Sequence, residues 1–195
     1  MSKLFFRYGA MNSGKSTAML QVAHNYEERG QSVVLVKPAV DTKGNDQIVS
    51  RLGVSRPAHI VLAPDHNLRT AVATQVQQTR VEGPVPACVL IDEAQFLTPE
   101  QVDQALEVAV FDELPVIAFG IRTDFRTRAF PGSLRLLEVA HVLEEMKNIC
   151  SCGRKAIFNA RLSNDGMTRE GDQVMIDGSG VEYEARCARC YLESI

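Results

Sequence analysis

The stretch Gly9-Ala10-Met11-Asn12-Ser13-Gly14-Lys15-Ser16 constrains the fold more than any other part of the sequence. It matches the phosphate-binding loop G-x-x-x-x-G-K-S/T at every fixed position. The apolar run at 4–8 predicts a preceding strand, and the pattern at 16–29 predicts a following helix. In this context the loop N–H groups and the helix N-terminus face phosphate oxygens. We therefore favour a nucleotide site over a chance glycine turn, with Lys15 reaching the β- and γ-phosphates and the Ser16 hydroxyl ligating magnesium.

Apolar runs and helical patterns alternate along the first two thirds of the chain. Strands are predicted at 32–37, 59–62, 88–91 and 114–120, and helices at 68–79 and 100–110, the latter with Thr98 as N-cap and Pro99 in its first turn. Such alternation predicts a parallel α/β sheet with right-handed crossovers. After residue 120 the alternation is expected to stop. We predict a short helix at 134–139, and 141–146 is predicted to lead out of the sheet.

The segment 38–57 is long, polar and poorly periodic. It contains Asp41 and two arginines, Arg51 and Arg56. A loop of this length inside a compact domain is usually functional or mobile. A disordered surface excursion is the other interpretation, and the sequence leaves both open.

The predicted strand at 88–91 runs directly into Asp92 and Glu93. An Asp at the end of a buried strand is the second signature of phosphate-loop nucleotidases, in which it holds magnesium. Two adjacent carboxylates beside a phosphate loop are costly unless a cation or a proton-transfer role explains them. We therefore expect Asp92 to bind magnesium and Glu93 to lie one residue further into the site. The alternative is that both are simply solvated. Cys88 is interpreted as a buried small hydrophobe.

The segment 121–132 combines three arginines with Phe125 and Phe130 and has neither helical nor strand period. It leaves the carboxyl end of a predicted strand, which is where α/β folds place ligands. Its aromatic rings could stack on a nucleobase, and its arginines could stabilise phosphate charge. In the alternative interpretation the phenylalanines are satellite core and the arginines are solvated.

Composition excludes several classes of function. A chain of 195 residues with 45% hydrophobic content fills one domain, or one domain with a small appendage. The net charge of −3 and the lack of a basic segment argue against a polynucleotide partner. No apolar run is long enough to cross a bilayer, so no membrane partner is expected. The first residues lead straight into a strand instead of a signal peptide, which predicts a cytoplasmic location.

Four of the five cysteines crowd into the end of the chain as two close pairs, Cys150 with Cys152 and Cys187 with Cys190. Disulfides are not expected in the reducing cytoplasm. Two close pairs that flank a loop are typical of a structural tetrathiolate zinc site, although the first pair has a one-residue gap where two is usual. Free thiols or a redox pair are the alternatives. Strands are predicted at 156–162, 173–176 and 181–185, so that a loop anchored by one metal could lie across a neighbouring site.

Taken together, these motifs resemble those of the type II thymidine kinases over essentially the whole length. The resemblance is carried by GAMNSGKST, IDEAQF, RTDFRTRAFPGS and the cysteine pairs around YEARC. It implies a RecA-like phosphate-loop parallel sheet core at 1–146, and a small zinc-binding domain with a lasso loop at 147–195. The implied reaction transfers the γ-phosphoryl group of ATP to the 5′-hydroxyl of thymidine, and deoxyuridine is left open as a second substrate. The family is usually a homotetramer that is inhibited by the triphosphate of thymidine.

The resemblance also implies roles for individual residues. Glu93 would be the general base, and Asp41 would belong to a lid-like segment. The ATP-binding residues would be Gly9, Ala10, Met11, Asn12, Ser13, Gly14, Lys15, Ser16, Asp92, Glu93, Ala94 and Gln95, with Ser16 and Asp92 at magnesium. The nucleoside would be bound by Met11, Phe96, Ile121, Phe125, Phe130 and Tyr183, and by the lasso residues Val174, Met175, Ile176, Asp177 and Gly178. Structural zinc would be held by Cys150, Cys152, Cys187 and Cys190.

Two other functions compete with this one. Asp92-Glu93-Ala94-Gln95 resembles the acidic box of helicases, so the chain could be a phosphate-loop ATPase or helicase-like fragment acting on nucleic acid. Such motors need a second RecA-like domain and a basic track for the strand, and this chain has neither the length nor the charge. The chain could also be a zinc-ribbon binding module in which the nucleotide site serves only as a switch.

Overall fold

The computed structural model describes residues 1–42, 44–163, 166–171, 173 and 182–193. Within those residues no helix is both long and apolar enough to cross a membrane. The strands are β1 (Leu4–Tyr8), β2 (Ser32–Pro38), β3 (Gln47–Val49), β4 (Ser55–Pro57), β5 (Ile60–Leu62), β6 (Pro86–Ile91), β7 (Val116–Gly120), β8 (Val142–Glu145), β9 (Asn148–Ile149), β10 (Lys155–Ala156), β11 (Phe158–Ser163), β12 (Gly166–Thr168) and β13 (Glu182–Arg186). The helices are α1 (Lys15–Glu27), α2 (Leu68–Glu82), α3 (Pro99–Phe111), α4 (Pro131–Val139) and α5 (Ala188–Glu193), and Ala94–Phe96 form a 3₁₀ turn.

The core is a six-stranded sheet in the order β5-β2-β6-β7-β1-β8. All neighbours in it pair in parallel, which confirms the predicted α/β class. Since β6, β7 and β1 are adjacent, the loops that leave their carboxyl ends adjoin. Those loops begin at Asp92, Ile121 and Gly9. The strand order therefore gathers the three predicted motifs at one edge of the sheet.

Both faces of the sheet are covered, with successive strand residues facing opposite layers. One layer contains α2, α3 and α4, and the strand side chains buried in it include Val34, Val36, Val89 and Ile91. The other contains α1, and the strand side chains buried in it include Val33, Leu35, Cys88, Leu90 and Phe119. Burial on two faces explains why these strands are continuous apolar runs in the sequence. Cys88 is fully buried as predicted, and this burial raises the pKa of its thiol to about 12.

The prediction that 141–146 leads out of the sheet is wrong. Residues Val142–Glu145 form β8, a sixth parallel strand that pairs with β1 at the edge of the sheet. Backbone bonds continue the ladder on both sides, from His141 N to Leu4 O (2.9 Å) and from Met146 N to Tyr8 O (2.7 Å). Because an edge strand can leave one side in solvent, β8 can carry two glutamates. Glu144, one of the two, pairs with Arg7 at 2.5 Å. Because of these glutamates, the sequence has no continuous apolar run here that would predict a strand.

Other boundaries also differ from prediction. The segment 38–57, expected to be a loop, contains the antiparallel hairpin of β3 and β4. Helix α4 begins at Pro131, three residues before the predicted start, with the proline in its first turn. By contrast, Thr98 caps α3 as expected: its hydroxyl accepts from Gln101 N at 3.2 Å, and the Gln101 side chain accepts from Thr98 N at 3.1 Å. This reciprocal pair is a capping box.

Strands β9–β13 and helix α5 form a separate group of small elements, called here the C-terminal module. Strand β9 pairs with β10, and β11 lies between β12 and β13, all antiparallel. The predicted strand at 156–162 is thus divided at Ile157 between β10 and β11, and that at 181–185 corresponds to β13. Of the predicted strand at 173–176, residues 174–176 lie outside the described residues.

Candidate active site

A cavity of about 1300 Å³ opens at the carboxyl edge of the sheet. Its wall is formed by the phosphate loop, the segment 40–52, the residues after β6 and β7, and the C-terminal module. Many residues that the sequence assigned to a site line it, including Met11, Asn12, Gly14, Lys15, Ser16, Asp92, Glu93, Gln95, Phe96, Ile121, Phe125, Phe130 and Tyr183. Four predicted ATP-binding residues are not among its lining: Gly9, Ala10, Ser13 and Ala94.

The phosphate loop has the backbone geometry that its sequence predicts. Gly14 has φ 79°, in the left-handed region that favours glycine, and α1 begins at the next residue. A side chain at Gly9 would lie only 2.7 Å from Met146 O, so the close approach there needs a glycine. Lys15 is buried, and its Nζ donates to Ala10 O at 3.0 Å. Burial lowers the pKa of Lys15, against the opposing effect of the Glu93 and Asp92 carboxylates.

Asp92 and Ser16 meet at the mouth of the loop. The Ser16 hydroxyl donates to Asp92 Oδ1 at 3.3 Å, which joins the end of β6 to the first turn of α1. Burial, and then the neighbouring Glu93 carboxylate, raise the pKa of Asp92 to about 7. A cation bound here would favour the ionised form of Asp92. A hydroxyl and a carboxylate side by side are the oxygen ligands that magnesium prefers.

Glu93 is held in an unusual conformation beside the loop. Its φ of 45° and ψ of 42° lie in the left-handed region, which non-glycine residues adopt at a cost and mostly at special sites. Gln95 Nε2 donates to Glu93 Oε2 at 2.5 Å, and Gln95 Oε1 accepts from Ile121 N at 3.1 Å. Gln95 is buried, and a Cβ on Gly120 would lie 2.8 Å from its Oε1. The end of β7 therefore fixes Gln95, which in turn orients the Glu93 carboxylate into the cavity.

The apolar wall of the cavity consists of Phe96, Ile121, Phe125, Phe130 and Tyr183. The rings of Phe96 and Phe130 pack edge to face with centroids 5.7 Å apart. Phe125 and Phe130 are both buried. A slot of this kind suits a flat, weakly polar ligand such as a nucleobase, because aromatic side chains offer both faces and edges for stacking.

Arg161 in β11 supports the apolar wall from behind. Although only 1% exposed, its guanidinium lies 3.7 Å from the centroid of the Phe125 ring. It also donates to the Tyr183 hydroxyl, from Nε at 3.0 Å and from Nη2 at 2.7 Å. Gln173 Nε2 donates to Asp124 Oδ2 at 3.2 Å. The predicted lasso residues Val174, Met175, Ile176, Asp177 and Gly178 lie outside the described residues.

The arginines of 121–132 were predicted to stabilise phosphate charge, but the structure does not bring them to the cavity. The cavity lining, as far as the structure describes it, includes none of Arg122, Arg126 and Arg128. Arg126 instead pairs with Asp124 at 3.4 Å and stacks over Phe125. The arginine that does line the cavity is Arg51, whose charge also lowers the pKa of Lys15.

Asp41 also lines the cavity, and its carboxylate contributes to the raised pKa of Asp92. Lys37, at the end of β2, fixes the segment that carries Asp41. It is 1% exposed, pairs with Asp41 at 3.1 Å and donates to Asn45 O at 3.0 Å and Gln47 O at 3.1 Å. A buried cation therefore joins the start of the segment 38–57 to the sheet.

The four cysteines of the two pairs meet in one cluster, with all their sulfur atoms within 4.8 Å of one another. Cys152 Sγ and Cys187 Sγ are 3.6 Å apart, close to the spacing of about 3.8 Å that a tetrahedron with Zn–S bonds of about 2.3 Å requires. Backbone N–H groups, of Cys152 foremost, lower the pKa of Cys150 to about 6. The one-residue gap of the first pair is accommodated by a turn in which Cys150 N donates to Arg154 O at 2.8 Å and Gly153 takes φ 83°.

Sequence reasoning missed two residues and one contact at this site. It placed Gln95 among the ATP ligands without seeing its bond to Glu93, and it gave no role to Asn159 or Arg161. Asn159 lines the cavity and is 2% exposed. A signal did exist, since Asn159 and Arg161 are polar residues in an otherwise apolar predicted strand. Buried polar side chains need partners, and these two find them at the site.

Comparisons with known proteins agree with this geometry. A family model described as "Thymidine kinase" matches residues 2–191. A thymidine kinase of Idiomarina loihiensis is 46% identical over 197 aligned positions, which cover 100% of this chain and 98% of the relative. One of Chromobacterium violaceum is 47% identical, covering 98% of both chains, and one of Enterobacteria phage T4 is 43% identical, covering 90% of this chain and 89% of the relative. The chain, with its phosphate loop, acidic strand end and apolar wall around one cavity, belongs to the thymidine kinase family.

Proposed function

We propose that this protein transfers the γ-phosphoryl group of ATP to the 5′-hydroxyl of thymidine, giving dTMP and ADP. One observation carries the proposal: Lys15, the Ser16–Asp92 pair, Glu93 and the apolar wall all line the same cavity. A triphosphate donor at the loop and a nucleoside at the apolar wall would then meet beside the Glu93 carboxylate. This arrangement supports direct transfer between two bound substrates, in the service of nucleotide salvage for DNA synthesis.

The donor half relies on positioning and charge. Phosphoryl transfer needs few covalent contributions from the protein, so in-line placement and neutralisation of the phosphate oxygens supply most of the acceleration. The loop amides and the N-terminus of α1 would hold the β-phosphate, and Lys15 would exchange its present bond to Ala10 O for phosphate oxygens. Arg51 would add a second positive charge from the segment 38–57.

The acceptor half relies on Glu93. Its carboxylate would accept the proton of the 5′-hydroxyl as that oxygen attacks the γ-phosphorus and the bond to the β,γ-bridging oxygen breaks. The bond from Gln95 leaves the other carboxylate oxygen, Oε1, for this task. The apolar wall would hold the base and exclude water, which would otherwise compete with the sugar hydroxyl.

Two metal ions fit the residues present. Ser16 and Asp92 would hold Mg²⁺ with the donor phosphates, and the bound ion would supply charge neutralisation for the β- and γ-phosphate oxygens. Cys150, Cys152, Cys187 and Cys190 would hold Zn²⁺, as the sulfur spacing supports. Four thiolates leave no open coordination position, so the zinc would be structural.

The assembly, regulation and location are proposed from the family resemblance. We infer a homotetramer, inhibited by the triphosphate of thymidine, which would enter the same cavity as an analogue of substrate and donor together. Exposed apolar side chains such as Phe111, Leu143 and Ile149 are compatible with subunit contacts. We infer a cytoplasmic location, where a reducing environment would keep the four clustered thiols available to a metal.

The decisive experiment is an ATP-dependent phosphorylation assay over a panel of nucleosides, with Glu93→Gln alongside. Thymidine should be phosphorylated, and Glu93→Gln should lower kcat by about 10²- to 10⁴-fold while ATP still binds, since a general base contributes that much. Turnover retained in Glu93→Gln would contradict the assigned base. ATP hydrolysis stimulated by a polynucleotide, without nucleoside phosphorylation, would instead favour the helicase-like alternative.

A further inference from the structure

The C-terminal module packs directly on the phosphate loop. Ala10, which lies inside the loop, belongs to a small buried cluster whose other members come from the module: Cys150, Ala156, Ala185 and Cys187. The cysteine cluster and the donor site therefore share a packing unit. Loop residues 10 and 11 contact the module, while Lys15 and Ser16 face the cavity.

Asn159, in β11 of the module, joins this loop to the apolar wall. Its Oδ1 accepts from Met11 N at 2.7 Å, and its Nδ2 donates to Thr123 O at 2.9 Å. Met11 is a phosphate-loop residue, and Thr123 lies between Ile121 and Phe125 of the apolar wall. The buried side-chain amide of Asn159 thus links two half-sites, the phosphate loop and the apolar wall. Its oxygen accepts from the loop, and its nitrogen donates to the segment that carries part of the wall.

A second asparagine of the module, Asn148, bonds to the other backbone group of Met11. Asn148 Nδ2 donates to Met11 O at 2.9 Å. Both backbone groups of this loop residue are therefore bonded to side chains of the module. Met11 itself lines the cavity, so a shift of its backbone would move the surface between donor and nucleoside.

We propose that Asn159 is a positioning residue that fixes the phosphate loop relative to the apolar wall and so sets the alignment of phosphoryl donor and nucleoside acceptor. This inference rests on the proposed function. It follows from the geometry because the oxygen and the nitrogen of the Asn159 side chain are bonded to backbone groups of two different parts of the site, Met11 N and Thr123 O. If the Asn159 amide is removed, ATP can still bind at the phosphate loop and thymidine at the apolar wall, but the acceptor oxygen and the γ-phosphorus lose their alignment.

The test compares Asn159→Leu with the wild type and measures dTMP and ADP separately. Leucine has the same branching and the same number of side-chain heavy atoms, and it can make neither bond. The dTMP-forming kcat should fall about 10- to 100-fold, since misplacement by about 1 Å costs up to about 10²-fold. The ratio of ADP to dTMP should rise above the wild-type value, because water replaces the misaligned hydroxyl. Binary dissociation constants for ATP and for thymidine, measured separately, should change less than about threefold, because each half-site keeps its own contacts.

Two further variants divide the effect. Asn159→Asp keeps an acceptor for Met11 N but sets a carboxylate oxygen against Thr123 O, so it should also lower the dTMP-forming kcat and raise the ADP to dTMP ratio. Asn148→Leu releases only Met11 O and should give a smaller loss. Asn25→Leu is the matched control, because Asn25 is exposed on α1 and bonds only to Gln21 among its described partners. It should behave as wild type.

Zinc content and thermal unfolding of each variant separate this role from a merely structural one. An unchanged ratio of ADP to dTMP in Asn159→Leu and Asn159→Asp would overturn the inference, whether kcat stays at the wild-type value or falls together with zinc content. A raised ratio in a variant that keeps its zinc would support it. Should the wild type form no dTMP at all, the proposed function fails first, and that result is distinct from either outcome of the variants.

Discussion

Two sides of the cavity are built in different ways. The donor wall is the phosphate loop together with Asp92 and Glu93 after β6, and the module wall is the part of the C-terminal module that lines the cavity, which includes Asn159 and Tyr183. The donor wall follows from local rules: a glycine in the left-handed region, a helix start, and three adjacent parallel strands whose ends adjoin. The module wall follows from long-range side-chain contacts, and the buried apolar cluster that the module shares with Ala10 of the phosphate loop is small and includes two cysteines. We expect a sheet core with two covered faces to be stable on its own, and a module with so little apolar burial to need a further link such as a metal. The donor wall should therefore persist when the module is lost.

The largest expected effect comes from breaking the cysteine cluster. Cys187→Ser should remove zinc and abolish turnover, while the sheet core keeps its secondary structure. Structural zinc contributes about 10–16 kcal/mol in zinc-finger peptides, more than a small cluster of apolar side chains can supply. Metal analysis would measure the zinc content, a phosphorylation assay the turnover, and circular dichroism the secondary structure of the sheet core. Limited proteolysis would show whether the module has unfolded, with cleavage expected after β8.

The matched control is Cys88→Ala, since Cys88 is a buried thiol of the sheet core far from the cluster in sequence. It should keep its zinc. If Cys187→Ser retained zinc, or if the whole chain unfolded with the module, the donor wall would not be independent of a metal-dependent module.

The next effect is confined to the donor wall. Lys15→Met removes the ammonium while keeping the length of the side chain, and kcat should fall about 10²- to 10³-fold, as it does when one preorganised group opposite developing charge is removed. Zinc content and thymidine binding should stay unchanged, because neither depends on Lys15. Steady-state kinetics and metal analysis check this, with Lys3→Met, an exposed lysine before β1, as control. A loss of zinc in Lys15→Met would show that the walls are not independent.

A smaller effect is expected between the walls, at Gln95. Gln95→Leu removes both the donor to Glu93 and the acceptor for Ile121 N, and kcat should fall about 10-fold as the Glu93 carboxylate loses its orientation. Gln95→Glu keeps the acceptor but places a second carboxylate beside Glu93, so its loss should be larger. Gln78→Leu, exposed on α2, is the control. A wild-type kcat in Gln95→Leu would show that the bond to Glu93 does not matter.

How much of the molecule the sequence predicts differs between the same two regions. The phosphate loop, the acidic end of β6 and the Thr98 cap were predicted because each depends on residues close together in the chain. Strand β8 was missed because an edge strand with two glutamates has no continuous apolar run. The hairpin of β3 and β4 was missed because three-residue strands carry almost no periodicity.

The contacts of Asn159 were missed for another reason. Its partner Met11 lies 148 residues away, and a bond between a side chain and a distant backbone group leaves no local pattern. The cysteine pairs were the exception in the module, because their residue type and close spacing predicted the cluster that the structure shows. Long-range polar contacts therefore need the structure, whereas motifs and chemically specialised residues do not.

The smallest effect tests whether stability and activity can be separated in the core. Thr98→Ala removes the hydroxyl that caps α3, and the free energy of unfolding should fall by about 1 kcal/mol, the usual worth of an N-cap. For a chain of this size that corresponds to a Tm about 2–4 °C lower. Thr74→Ala is the control, since Thr74 lies inside α2 and its hydroxyl bonds to Thr70 O in the preceding turn, so no cap is lost. The free energy of unfolding, from denaturant titration, and the ratio of ADP to dTMP should be measured on the same variant. Thr98→Ala should lower the free energy of unfolding and leave the ratio unchanged, because α3 contributes no residue to the lining of the cavity. A changed ratio would mean that the core and the site are coupled through α3, and the donor wall would then depend on more than its local geometry.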